Sequence, residues 1–272
     1  PTTGETAALA GAVPVRKRTI GGSDLAVFPL AMSGNVFGWT ADDATTNAIL
    51  DTYVAEGGNF VDTADSYAAG RSETMIGNWM RSRRNRGDIV VATKVGKSAD
   101  NPGLRARVLT RAVHASLERL GTDRIDLLYL HIDDESVSFE ETLLAVDELI
   151  RAGKVRYFGG SDHTGNRLIE ARIASAQLGV APMVALQNHY NLVHRTEYEG
   201  DLAHVAAQQR LGVVDAQPDH EADRVQRERQ VVRRLLLGRQ PAGGLAEVGG
   251  QLGEQHLAAA REDLLPELIE LV

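Results

Sequence analysis

The sequence predicts an α/β protein, a (β/α)8 TIM barrel preceded by a β-hairpin, with the last one or two βα units left open. Three observations lead there. Short apolar runs alternate with amphipathic stretches over residues 29–214, the order that builds a parallel sheet with helices outside it. A length of 272 residues suits one barrel domain, for which ~250 residues is usual. Asp62, Lys94 and His131 each stand where an apolar run stops, and a barrel brings the C-terminal ends of its strands to one face.

Residues 1–14 are small and weakly patterned, and are expected to form a lead-in to a single barrel domain over 15–272. Arg16–Ile20 and Leu25–Phe28 read as two strands around Gly21-Gly22-Ser23-Asp24, a hairpin expected at the barrel end opposite the site. Strands are then predicted at 29–33, 59–62, 89–94, 125–131, 155–160, 183–187 and 211–214. The helices between them are predicted at 43–56, 72–84, 104–120, 138–152, 165–178 and 199–210. Ser72-Glu73 reads as a helix opening, and Gly121 and Gly153 as left-handed helix ends. Met75 and Trp79, four apart, read as a packed helix face. Arg81, Arg83, Arg84 and Arg86 read as a solvated last turn whose cations suit the helix dipole. From Asp215 the pattern changes: 215–253 is rich in Arg, Gln, Glu and Gly and atypical of a barrel. Val231–Leu237 is the one candidate for an eighth strand, equally readable as helix, and 255–271 has helical periodicity.

Composition narrows the function. A net charge of −8 and a pI near 5.5 argue against a general nucleic-acid surface, which needs clustered cations. The absence of cysteine excludes disulfides, thiolate metal sites and thiol catalysis. No apolar run reaches the ~18 residues of a membrane span, and the start lacks a basic region followed by an apolar core. A soluble, cytoplasmic protein without nucleic-acid or membrane partners is expected.

The strand-end residues carry the chemistry. With Tyr67 they bring together a phenol, an ammonium, a carboxylate and an imidazole, a set suited to proton transfer. A tyrosine with a reference pKa of about 10 is a poor proton donor or acceptor near neutrality unless a cation stabilises its phenolate. Lys94 is the candidate cation and Asp62 its counter-charge, while His131 is placed to orient a substrate carbonyl. Nothing in the set accepts electrons, so a reduction would need a cofactor. Taken one at a time, Asp62 reads as a strand cap and Tyr67 as a turn residue; the ordered set favours the catalytic reading. His131 with Asp133, Asp134 and Glu135 leaves a metal site as an alternative. His163 and His189 follow strand ends and read as pocket-lining or supporting residues.

The words Phe60-Val61-Asp62-Thr63-Ala64-Asp65-Ser66-Tyr67, Gly70-Arg71-Ser72-Glu73, Thr93-Lys94-Val95-Gly96 and Leu128-Tyr129-Leu130-His131 together resemble the aldo-keto reductase family. So do Ala152–Ser161 and Gln187-Asn188-His189-Tyr190-Asn191-Leu192, the last similar to its bacterial and potassium-channel β-subunit branches. The resemblance covers about 16–214. It implies NADP(H)-dependent reduction of a small-molecule aldehyde or ketone without a metal. Tyr67 would be the proton donor, Lys94 and Asp62 its tuning pair, and His131 the carbonyl-orienting group. Ser161, Asp162 and Gln187 would hold the nicotinamide carboxamide; an ionised Asp162, in place of the family's Asn, accepts hydrogen bonds only. After Val214 the chain departs from the family, running into Asp215-Ala216-Gln217 where a Pro-Tyr-type element and a Gly-Lys loop are usual. The resemblance therefore implies weakened cofactor binding. A reductase leads, with a cofactor-sensing subunit of little turnover and a metal-dependent barrel hydrolase as alternatives.

Overall fold

The computed structural model of the chain describes residues 15–216, all within the unit Pro1–Glu221. A two-stranded antiparallel hairpin comes first, β1 (Arg18–Thr19) and β2 (Ala26–Val27). The main sheet holds β3 (Met32–Ser33), β4 (Phe60–Asp62), β5 (Val90–Val95), β6 (Ile125–Leu130), β7 (Val155–Ser161), β8 (Ala185–His189) and β9 (Gly212–Ala216). Its seven strands are all parallel and lie in sequence order. Between them run α1 (Asp43–Ala55), α2 (Arg71–Arg83), α3 (Ala106–Leu120), α4 (Phe139–Arg151), α5 (Gly165–Leu178) and α6 (Ala203–Gln209). This is the βα succession the apolar pattern predicts, through seven strands. β9 runs two residues past Val214, to Ala216, and the atypical stretch beyond it, with Val231–Leu237 and 255–271, lies outside the described residues.

The hairpin demonstrates that the sheet curls. The Asn59 side chain, just before β4, accepts from Phe28 N–H at 2.7 Å and donates to the Ala26 carbonyl at 3.0 Å. Asp24 in the hairpin turn pairs with Arg156 of β7 at 2.8 Å. Gly21 lies so close to the starts of β8 and β9 that an added Cβ would stand 2.0 Å from the Val184 carbonyl oxygen and 2.6 Å from Gly212 N. One small hairpin thus touches strands spread across the sheet, which a flat sheet would not allow.

Strand alternation sorts the core into two parts. Phe60, Ala92, Leu127, Tyr129 and Ala185 form the interior with Ile20, Leu25 and Val27 of the hairpin. Val61, Val91, Leu128, Leu130, Phe158 and Leu186 pack outward against helix residues such as Trp79, Leu109, Val146 and Leu168. The hairpin fills the end where the strands begin, so the polar residues at their other ends face an end it does not fill.

Three local expectations meet different outcomes. Gly121 does end α3 in the left-handed region, with φ of 61°. Ser72 and Glu73 do lie in the first turn of α2, which begins one residue earlier at Arg71, but both side chains are fully buried and neither serves as a solvent-facing cap. Their hydrogen bonds go to other elements, because their place under the barrel rim makes tertiary partners available. Arg86 is likewise no solvated cation. It is part-buried, donating to the Ile89 and Arg124 carbonyls and pairing with the buried Asp126 at 2.8 Å. No helix among the described residues is long and apolar enough to cross a membrane.

Candidate active site

Asp62 closes β4, Lys94 lies near the end of β5, and His131 directly follows β6. All three are buried. The Lys94 ammonium donates to Asp62 Oδ2 at 2.7 Å, to the Thr63 carbonyl at 2.9 Å and to the Tyr67 hydroxyl oxygen at 3.1 Å. Those are three acceptors for the three N–H donors of an ammonium, which makes a 2 % exposed lysine tenable as a cation. A phenol oxygen that accepts from Lys94 must aim its own hydrogen elsewhere. The Tyr67 ring meets the His131 ring edge-on, centroids 6.1 Å apart, and the ammonium lies 4.7 Å from the Tyr67 ring centroid. The four residues expected to act together therefore do stand together.

Tyr67 heads a tight turn, Tyr67–Gly70, in which Ala68 and Ala69 hold φ of 49° and 55°. Left-handed conformations at non-glycine residues carry strain and persist only when surroundings enforce them. The support comes from below. Glu73 is completely buried, accepting from Thr93 Oγ1 at 2.5 Å and from Arg119 Nε at 2.6 Å. Arg119 packs directly under the turn: a Cβ added to Gly70 would lie 2.7 Å from Arg119 Cδ. Ser72 donates to the Gly34 carbonyl at 2.8 Å and shares a hydrogen bond with Thr63. Asp65 is 2 % exposed, with its N–H on the Lys94 carbonyl at 3.0 Å. Burial, and then the neighbouring Glu73 carboxylate, push its carboxyl up to about 7. Sequence reasoning passed over Asp65, Glu73 and Arg119 as supports. The available signals were that Asp65 falls inside the same eight-residue word as Asp62 and Tyr67, and Glu73 inside the word Gly70-Arg71-Ser72-Glu73.

On the far side of the rim, Ser161 at the end of β7 is paired in register with Gln187 of β8. Both are buried, and the Gln187 side-chain carbonyl has no hydrogen-bond partner among the described residues. Asp162 follows in the left-handed region, φ 55°, with its N–H on the Gln187 backbone carbonyl at 3.2 Å. Lys97, just after β5, reaches across to the Asp162 carboxylate at 3.2 Å, so the two groups of residues share one rim. A hydroxyl beside an unused amide oxygen matches the donor and acceptor needs of a primary carboxamide. These residues fit the nicotinamide end of a dinucleotide.

His163 lies behind this group, its Nδ1 2.8 Å from the Ser161 carbonyl and its own carbonyl accepting from Asn188 Nδ2. Burial holds its imidazole below the usual histidine range. Tyr129, one residue pair below His131, is fully buried, and burial together with Asp62 raises its phenol well above the ordinary range. His189 stacks on His194 with centroids 4.1 Å apart. The acids after His131 turn to other partners: Asp133 takes Arg167 with both oxygens, and Asp134 accepts from Leu104 N–H and from Ser136. Among the described residues no group of three or more His, Asp or Glu is gathered as a metal ion would need.

Comparison with known proteins agrees with this geometry. The sequence profile of the Aldo/keto reductase family matches residues 30–218. Norsolorinic acid reductase of Aspergillus flavus is 34% identical over 204 residues, covering 69% of this chain and 52% of that protein. An aldo-keto reductase of Aspergillus calidoustus is 34% identical over 198 residues, 66% of this chain and 50% of the relative. An aryl-alcohol dehydrogenase of Pestalotiopsis microspora is 35% identical over 156 residues, 54% and 41% of the respective lengths. The chain thus spans about half the length of the curated relatives it matches.

Proposed function

This chain belongs to the aldo/keto reductase family, and from that premise we propose that it is an NADP(H)-dependent oxidoreductase that reduces an aldehyde or ketone to an alcohol. One observation carries the reading: a buried lysine ammonium that touches both a carboxylate and a phenol oxygen at the rim. Tyr67 donates its proton to the carbonyl oxygen of the substrate. Lys94 stabilises the phenolate left behind, and Asp62 holds Lys94 charged and aimed. His131, packed against the Tyr67 ring, directs the carbonyl by a hydrogen bond. Ser161, Asp162 and Gln187 hold the carboxamide end of a nicotinamide, which when bound supplies the hydride. The names of the three relatives, two reductases and an alcohol dehydrogenase, favour turnover over the cofactor-sensing subunit. The aryl alcohol in one of those names makes aromatic carbonyls the first class to try.

The test is oxidation of NADPH by an aromatic aldehyde, followed in absorbance, together with a fluorescence titration of NADPH against the chain. Aldehyde-dependent NADPH loss is expected, with cofactor affinity weaker than micromolar because stacking and 2′-phosphate contacts worth roughly 1–3 kcal/mol each have no assigned residues. Absence of any aldehyde-dependent oxidation at saturating NADPH would overturn the reading.

A further inference from the structure

We propose that Asp65 is a positioning residue for Tyr67: as an uncharged acid it lets the Tyr67–Gly70 turn rest on the Glu73–Arg119 pair, and its ionisation loosens that turn. The proposal rests on the reading of Tyr67 as proton donor. Asp65 occupies the joint between the two working pieces of the rim. Its N–H holds the Lys94 carbonyl at 3.0 Å, while the Tyr67 N–H closes the next turn onto the Ala64 carbonyl at 3.2 Å. A shift of Asp65 therefore moves Tyr67 relative to Lys94.

The charges around it leave no room for a second anion. Neither carboxyl oxygen of Asp65 has a hydrogen-bond partner among the described residues; the Gly96 and Ser66 N–H groups favour the charged form without reaching good alignment. The titratable groups facing it are Glu73 from α2 and Arg119 from α3. Arg119 already neutralises Glu73, and the Lys94 ammonium has its three donors committed to Asp62, Thr63 and Tyr67. With Asp65 protonated, one buried carboxylate faces one guanidinium. Once Asp65 ionises, two carboxylates compete for that guanidinium, or the turn opens to admit water. Either outcome disturbs the packing of Arg119 beneath Gly70. A carboxyl raised to about 7 places the change in the neutral range.

Hydrogen exchange by mass spectrometry reads the turn without relying on activity. In the wild-type chain, exchange in peptides covering 63–70, corrected for the intrinsic chemical rate, should rise by roughly tenfold between about pH 6 and pH 8, as a group titrating midway goes from mostly protonated to mostly ionised. Asp65→Asn, always neutral and of the same shape, should stay protected at both pH values, within about twofold. Asp65→Glu should keep a pH dependence. In turnover, wild-type kcat should fall over the same interval with KM for NADPH unchanged, and Asp65→Asn should lose that fall while retaining the rate at pH 6. Equal protection at both pH values in the wild type would overturn the proposal. So would the same pH-dependent loss in Asp65→Asn, or loss of protection in that variant at pH 6. A Tyr67→Phe chain with wild-type turnover would remove the reading of Tyr67 as proton donor, and the exchange data would still judge Asp65.

Discussion

At the scale of single residues, the site is a problem of burying charges safely. Lys94 survives at 2 % exposure because three oxygens replace its water, and one of those oxygens is the phenol that is proposed to work. Tyr67→Phe removes only that oxygen. It should lower the unfolding temperature modestly, since one Lys94 donor loses its acceptor at a cost of about 1–3 kcal/mol, while keeping the fold, and reduce kcat by about 10²–10⁴-fold, the usual contribution of a general acid; steady-state kinetics and a thermal melt check both halves. Glu73→Gln tests the support. The amide can keep its oxygen toward Arg119, which now donates to the carboxylate at 2.6 Å, and turn its N–H to Thr93 Oγ1, but it takes the negative charge away from the guanidinium. A loss of about 3 kcal/mol in urea unfolding is expected. A loss below half that would show Arg119 compensated, by solvent or by ionisation of the neighbouring Asp65.

At the scale of elements, close approach decides what helical propensity alone would get wrong. Gly77 lies inside α2, where glycine normally costs about 1 kcal/mol relative to alanine. Here an added Cβ would stand 2.5 Å from the Leu120 carbonyl oxygen at the end of α3. Gly77→Ala should therefore destabilise, not stabilise, by about 1–3 kcal/mol, and a denaturation curve gives the sign directly. That contact matters to the site because α2 carries Glu73 and α3 carries Arg119. The elements themselves were legible. The seven strands and six helices fall close to their expected places, because each strand is a short apolar run and each helix an amphipathic one. What was not legible was which polar residues face inward: Ser72 and Glu73 occupy helix-opening positions in the chain and buried positions in the fold.

At the scale of the whole molecule, two buried groups tilt stability in opposite directions with pH. His163 has its folded pKa below the unfolded value of 6.5. The unfolded chain thus binds a proton that the native state resists, and stability falls as pH drops through 6.5. Asp65 has its folded pKa raised from 3.8 to about 7; the native state keeps a proton the unfolded chain has released, so its contribution declines as pH rises through that window and is level above it. Replacing His163 by Gln should flatten the acid side of the stability curve, the wild type losing stability relative to the variant below pH 6.5. Chemical denaturation at a series of pH values checks this, and parallel curves would refute it.

The sequence by itself determined the βα succession, the family, and that Asp62, Lys94 and His131 stand at strand ends with Tyr67 close to Asp62 in the chain, because apolar periodicity and the residues that end it are properties of short stretches of chain. The tertiary structure alone decided how those residues are held. The Lys94 contacts to Asp62 and Tyr67 span 32 and 27 residues of chain, the Arg119–Glu73 bond 46, and the Lys97–Asp162 bridge 65. Local patterns do not encode which of several nearby carboxyls meets the Arg119 guanidinium. That choice is made only when the sheet curls and sets α2 and α3 side by side beneath the rim.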